Sequence, residues 1–418
     1  MTPRAVVAAT SGNVLEWYDF TVYGFLAPTL GRVFFPSDDH VASLLSAFAV
    51  LAVGYAARPI GSVIYGHIGD RLGRKPALLS SVMLMGIGSV LIGVLPTHAQ
   101  IGVAASVLLV LIRVVQGISV AGEYTASGVL IVEEARERSR GLVGSWIACA
   151  MMLGCVLGSG VPALMTSLLS EHQVEAWGWR IPFFVGGGVA LFSAVLRLHL
   201  SESHALAGAG ERSSSPIRVA IKEHWSTMLQ MIALLIPTAI IYFMIFVYAA
   251  SYLTDRMHFS TAQALDISTI NLIAIAVLAV AIGQLSDRFG RRAVFLLGAI
   301  GTLIFAWPLW SMMHQDAIVL VFLGQLGFAA FNAVGWSLSI TVLSEMVPTR
   351  VRCSAVALSY NSCMAVFGGT TPIVATYLVN RTGDDFAPVY YVLVATLVAL
   401  PVIWRLPKPA ESSRHPVG

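Results

Sequence analysis

Charge is what this sequence most lacks. Lys, Arg, Asp and Glu make up 11% of its 418 residues, against roughly 25% in an ordinary water-soluble domain. So few charges cannot wet the surface of a soluble protein, so most of the outer surface faces something other than water. Cysteine is scarce as well. Cys149, Cys155, Cys353 and Cys363 lie in or beside apolar stretches, without CxxC spacing or a histidine partner. That argues against a disulfide framework and a thiolate metal site, and no other residues show metal-ligand spacing. A nucleophile–base pair in context is also missing, so an enzyme is not expected. The net charge of +3 is too small to suggest nucleic acid. A removable secretion signal is not expected, because the first apolar segment carries Glu16 and Asp19, unlike the core of a signal peptide.

What is abundant is apolar sequence in long runs. The chain is 57% hydrophobic with a mean hydropathy of +0.79. Runs of helix-spanning length recur at roughly 8–33, 41–66, 76–96, 101–132, 140–168 and 181–200. After a polar stretch they recur at roughly 226–254, 262–285, 293–313, 317–344, 352–380 and 388–405. Short alternating segments, the mark of a membrane β-barrel, do not occur. The expected fold is an all-α membrane protein of twelve transmembrane helices in two pseudo-symmetric six-helix bundles. The bundles are assigned to 1–200 and 226–418, the second with a short cytoplasmic tail. Residues 201–225, which include Gly208, Gly210 and Ser213–Ser215, read as a flexible cytoplasmic linker.

Lys and Arg set the orientation. With both termini placed in the cytoplasm, nineteen of the 25 basic residues fall on the cytoplasmic side and four on the outer side. Arg58 and Arg113 remain inside spans. The halves also repeat. Gly66–Lys75 (GHIGDRLGRK) follows span two and Gly283–Arg292 (GQLSDRFGRR) follows span eight, 217 residues later. Glu133, Arg138 and Arg140 recur as Glu345, Arg350 and Arg352 at a spacing of 212. Two spacings so close imply duplication of a six-span unit, and parallel repeats of this kind put a substrate site between the halves at mid-membrane.

The doubled Gly-x-x-x-Asp-Arg-x-Gly-Arg-Lys/Arg loop resembles the signature of the major facilitator superfamily. Narrower matches are Gly12–Phe20 in span one, Arg58–Gly61 in span two, and Arg113–Gly117 with Gly122–Tyr124 in span four. Trp177–Phe184 opens span six, and Tyr360–Asn361 with Gly368–Gly369 lies in span eleven. Together these resemble the metabolite:proton symporter branch, which carries organic acids or zwitterionic osmolytes. The resemblance implies a proton-driven importer in a bacterial inner (plasma) membrane.

Independently of that resemblance, an ionisable group at a helix centre costs about 2.5–3.5 kcal/mol on insertion scales and marks a functional site by default. Glu16 and Asp19 are three residues apart on one helical face. Asn13 and Tyr23 extend the stripe, and at 1.5 Å per residue Asp19 lies roughly halfway across. Burial favours the protonated form of a carboxyl, so both acids read as proton carriers or substrate contacts, or else as partners in structural ion pairs. Arg113, near mid-depth in span four with Gln116 one turn on, reads as a bidentate clamp for a substrate carboxylate, or as a permanent partner of Asp19 or Glu16. Glu123 and Arg58 are expected to pair near the cytoplasmic third, as a structural pair or an inner gate, with Glu123 also a coupling candidate. Asp70, Arg71, Arg74, Asp287, Arg288 and Arg291 in the doubled loop read as a charge-assisted latch between the halves. Asn332, Tyr360 and Asn361 face substrate or glue helices together. Tyr242, Tyr248 and Tyr252 line the cavity or pack, with packing favoured for Tyr252. Gly154, Gly158 and Gly160 suit close helix contact, and the Trp177–Trp179 pair an outer-interface anchor.

The function expected from these residues is proton-coupled symport of a small carboxylate metabolite by alternating access. The proton is the coupling ion, no cofactor is expected, and the chain would work as a monomer. The alternative cargo is a zwitterionic osmolyte such as betaine or proline. Branch members that sense osmolality often carry a long C-terminal extension, whereas about a dozen residues follow span twelve here. Drug export by proton antiport is the less favoured third reading.

Overall fold

The computed structural model describes residues 3–72, 74–198 and 216–407, with the backbone alone at some of them, including 3–9, 66–72, 74 and 75. Among the described residues the chain is all helical. In hydrocarbon every backbone N–H and C=O must be satisfied within its own segment, and a helix does that. The first span is Pro3–Phe25, broken at Leu26 and resumed as Ala27–Phe34. Span two is His40–Ala56 followed by Arg58–Leu72, with Pro59 beside the break. Span three is Arg74–Val94, span four Val103–Val120 and Glu123–Glu134, span five Arg140–Leu168 and span six Ile181–Leu198. Span seven comprises Trp225–Tyr242, a π-helical stretch Phe243–Tyr248, and Ala249–Asp255. Spans eight, nine and ten are Thr261–Phe289, Arg291–Met313 and Ile318–Glu345. Span eleven runs Arg352–Cys363, π-helical Met364–Gly368 and Thr371–Thr382, and span twelve is Ala387–Arg405. Among the described residues ten helices are long and apolar enough to cross a membrane, and Leu78–Val94 of span three is apolar but shorter.

The spans expected from hydropathy coincide with these helices to within a few residues at most ends. Short helices were missed: His98–Ile101, Glu171–Ala176 and Pro216–Glu223. The last corrects the expected linker. Residues 201–215 lie outside the described residues, but its second half is helical, with Ala220 fully buried.

In the first half, span five lies on span one, three on six and two on four. In the second, nine and eight lie on ten and seven on twelve. Large apolar side chains point outward along these helices, among them Leu111, Leu168, Phe192, Val277 and Leu297, as a lipid-facing surface requires. The halves meet along a seam of span five with eight, two with eleven, four with ten and eleven, and one with seven. Small residues let the backbones approach. A Cβ on Gly283 would lie 2.6 Å from the Gly141 carbonyl oxygen, and one on Gly158 would lie 2.7 Å from the Tyr18 carbonyl oxygen. Both are closer than real Cβ contacts, so glycine is required where span eight meets five and where span five meets one.

Candidate functional site

Three ion pairs are buried in the first half. Arg58 Nη1 donates to Glu16 Oε1 at 2.8 Å, Arg113 Nη1 donates to Asp19 Oδ2 at 2.8 Å, and Arg197 grips Glu123 with both Nη atoms, one of them 3.1 Å from Oε2. All six residues are at most 2% exposed. Charges this deep persist only when paired and hydrogen-bonded. The Asp19 cluster is the fullest. Its carboxylate also accepts from the Ser89 hydroxyl and, at 3.0 Å, from Gln116 Nε2, while the Gln116 carbonyl accepts from Arg113 at 3.0 Å. The aromatic ring of Phe20 separates the two pairs of span one. It lies 4.4 Å from the Arg58 guanidinium and 4.5 Å from that of Arg113. Tyr55 covers Arg58 and Tyr23 covers Arg113, at 4.3 and 4.4 Å.

The expected Arg58–Glu123 pair is not formed. Arg58 is taken by Glu16, and Glu123 by Arg197. Arg197, one of the nineteen basic residues counted on the cytoplasmic side, is buried and also donates to the Leu78 carbonyl at 3.0 Å. Depth along a helix can be counted from sequence, whereas the direction a side chain faces depends on which neighbour lies against it.

Beside Glu16 and Arg58, at the seam between the halves, lies a cluster of aromatic rings. Trp17 meets Trp336 at 5.3 Å and Tyr242 at 5.7 Å, and Tyr242 meets Trp336 at 5.5 Å, all edge-to-face. Trp17 also meets Tyr124, which stacks on Tyr360 with centroids 4.6 Å apart. Tyr55 meets Phe243, and Phe243 meets Tyr242. Spans one, two and four thus face spans seven, ten and eleven through aromatic rings. The indole N–H of Trp17 and Trp336, the hydroxyls of Tyr124 and Tyr360, and Nε and Nη2 of Arg58 are buried without a hydrogen-bond partner. Buried tryptophan and tyrosine normally find one, so these six atoms leave hydrogen-bonding capacity at the seam between the halves.

The other candidates divide. Tyr242 and Tyr360 belong to this cluster, and the Tyr242 hydroxyl reaches across the seam to Cys155 Sγ at 2.9 Å. Arg113, Gln116 and Tyr23 are enclosed in the first bundle. There Arg113 makes the intraprotein pair given above as the alternative to a clamp, and the Tyr23 hydroxyl donates to the Ala47 carbonyl at 3.2 Å. Asn13 donates to Ser127 at 3.0 Å, tying span one to four. Asn332 makes the helix-to-helix bond given above as one of its two readings: its amide donates to the Thr238 carbonyl at 2.9 Å inside the second bundle. Asn361 also serves packing, but across the seam, donating to Ser62 Oγ at 2.9 Å and to the Ala121 carbonyl at 2.7 Å. Trp177 is exposed as an interface anchor should be, whereas Trp179 is fully buried against Phe34 and Phe183.

Trp17, Trp336, Tyr124 and Tyr55 were missed as site residues. A signal existed: tryptophan concentrates at the two membrane interfaces, while Trp17 and Trp336 stand well inside their spans.

The second copy of the doubled loop contacts the first half on the Arg-rich face. Asp287 accepts from the backbone N–H of Gly141 at 2.9 Å and of Leu142 at 2.8 Å, at the N-terminus of span five. A carboxylate there meets the positive end of the helix dipole. Arg291 holds Asp287 from behind at 2.7 Å, and Arg352 joins Glu133 across the halves at 2.7 Å. Arg288 is exposed. The side chains of Asp70, Arg71 and Arg74 lie outside the described residues.

Two helical bundles, a lipid-facing apolar surface and a charged and aromatic seam between them define a membrane transporter. Residues 4–215 match the family described as "Sugar (and other) transporter", and residues 261–418 match "Major Facilitator Superfamily". The chain is 35% identical over 95% of its length to the glycine betaine/proline/ectoine/pipecolic acid transporter OusA of Dickeya dadantii, covering 81% of that protein. It is also 35% identical over 95% of its length to the proline/betaine transporter of Salmonella typhimurium, covering 82% of it. In three dimensions it resembles the xylose transporter XylE from E. coli in a partially occluded inward-open conformation. The TM-score is 0.80 at 20% identity, over 97% of this chain and 98% of that one. The chain belongs to the major facilitator superfamily. It is a multi-pass membrane transporter rather than an enzyme.

Proposed function

We propose that this transporter takes up a small zwitterion of the betaine or proline type together with protons, by alternating access, with both termini in the cytoplasm. The aromatic seam carries the reading. An alkylated ammonium has no N–H to donate, or few, and binds best against aromatic faces, at about 0.5–2 kcal/mol per ring. Trp17, Trp336, Tyr242, Tyr124 and Tyr360 offer such faces from both halves at once. The substrate carboxylate goes to the unmatched N–H groups of Arg58, as a charge-assisted contact. Glu16 then loses part of its hold on Arg58 and takes up a proton in place of that partner. Asp19 shares span one with Glu16 and serves as the second proton site, inside the first bundle. Relatives named for betaine and proline support this cargo over the simple carboxylate expected from sequence. A betaine also presents the carboxylate that the buried arginines suggested.

The test is uptake of radiolabelled glycine betaine and of succinate into proteoliposomes under an imposed inward proton gradient. Betaine is expected to accumulate, and to stop accumulating when a protonophore is added. Accumulation of succinate without betaine, or betaine uptake indifferent to the gradient, overturns the proposal.

A further inference from the structure

A second group of aromatic, hydroxyl and charged side chains lies away from the seam just described. It opens on the face opposite the two Arg-rich loops, where spans two, seven and eleven end. An open cleft of about 200 Å³ lies there between the halves, with Val41 and Leu44 on one side and spans seven and eleven on the other. A single water needs only roughly 10–15 Å³ of such space. The wall carries Tyr248 and Tyr252, with ring centroids 5.9 Å apart, and both are at most 4% exposed. Ser251 Oγ and Thr376 Oγ1 also line it, on residues 2% and 5% exposed, and neither oxygen has a hydrogen-bond partner. Its described lining carries one charge of each sign at the exposed rim, and Asp385 lies close to the two tyrosines. Arg256 is fixed by Asn380 at 3.3 Å, and Asp255 stands beside it on span seven.

We infer that this cleft is a second, outer binding site for the transported zwitterion, occupied before the molecule passes to the seam. The chemistry matches at both ends. Tyrosine faces and Asp255 suit an ammonium, Arg256 suits a carboxylate, and the two unmatched hydroxyls supply hydrogen bonds within. Position matches too. Tyr248 follows Tyr242 by six residues on one helix, so the cleft lies roughly 9 Å along the axis from the aromatic seam. Phe243, which precedes Tyr248 on that helix, meets Tyr55 of span two at 5.2 Å. A guest resting in the cleft contacts both halves on the side that must open to admit it.

The inference rests on the proposed zwitterion cargo, and the test separates the two. Binding of radiolabelled glycine betaine to the purified full chain in nanodiscs is measured to saturation. Two molecules per chain are expected. Thr376→Val with Asp255→Asn is expected to leave one, and to raise the KM for uptake several-fold with kcat unchanged. One molecule per chain in the wild type, or two in the double variant, overturns the cleft while leaving the cargo intact. Absence of betaine binding overturns both. As a check independent of how that variant folds, Ser251→Cys is treated with a membrane-impermeant maleimide. Betaine is expected to protect it even when Trp17→Leu has disabled the seam site. Loss of protection in that background counts against a separate site.

Discussion

A buried carboxylate beside a buried arginine has two states worth comparing, and in this protein Asp19 is where the difference should be sharpest. Ionised, it is held by Arg113, Gln116 and Ser89. Neutral, it is expected to loosen its hold on Arg113, whose guanidinium lies against the rings of Phe20 and Tyr23. Asp19→Asn fixes the neutral state. Proton-driven accumulation of betaine is expected to vanish, while exchange of betaine across the membrane continues; undiminished accumulation would remove Asp19 from coupling. The variant leaves Arg113 without its counter-ion, at a cost of roughly 3–5 kcal/mol, so Asp19→Asn with Arg113→Gln is expected to recover much of the thermal stability. Trp17 should act differently. Trp17→Phe weakens the ring field without emptying the space. A loss of 1–2 kcal/mol in betaine affinity, roughly 5- to 30-fold, is expected in equilibrium binding, with a smaller loss for proline, whose ammonium keeps N–H donors.

At the level of whole helices, much was legible before any coordinates. Hydropathy placed span five at 140–168, and the helix is Arg140–Leu168. The glycines of that span were expected to serve close packing, and Gly154 and Gly158 indeed rest on the backbone of span one at Val14 and Tyr18. Breaks within helices were not legible. The π-helical stretches Phe243–Tyr248 and Met364–Gly368 fall in spans whose composition resembles that of any apolar helix. Such stretches often mark functional positions, and here one carries Phe243 to Tyr55 of span two and Tyr248 to the cleft. Ion-pair partners were equally hidden, because a period of 3.6 residues fixes which residues share a face but not which helix that face meets. Gly283→Val is the element-scale test. Added bulk against Gly141 costs about 1–3 kcal/mol as overpacking and wedges span eight from five. Uptake rate is expected to fall at least tenfold with membrane insertion normal, and an unchanged rate would show that the close approach is dispensable.

For the molecule as a whole, transport requires the halves to part on one face while staying closed on the other. Among the described residues the Arg-rich face is held by bonds that include Asp287 on the N-terminus of span five, Thr341 on the Arg140 carbonyl, Arg352 on Glu133, and Asn361 on Ser62 and Ala121. The exposed Arg352–Glu133 pair is worth at most about 1 kcal/mol, and the Asn361 bonds about 1 kcal/mol each. Asn361→Ala is therefore expected to move the population roughly tenfold towards the state open on that face. Spin labels at the exposed positions Pro76 and Thr349 report it as a longer mean distance, and an unaltered distance distribution would exclude Asn361 as a latch. The doubled loop made a latch legible in the sequence. The part played by Asn361 was not, since an asparagine in an apolar span reads the same whether it faces cargo or the opposite half.

Spans five and eight touch along much of their length, from Gly141 against Gly283 to Ser159, which accepts from Thr269 at 2.8 Å. Where two helices meet through bare backbone and short hydroxyls, joined at the Arg-rich end by the Asp287 carboxylate, one can roll on the other with little side-chain interlock to undo. That line then behaves as an axle rather than a joint. The two halves keep a common bearing while the faces on either side swing apart in turn, and the cost of each swing falls on the polar bonds at the rims rather than on the hub.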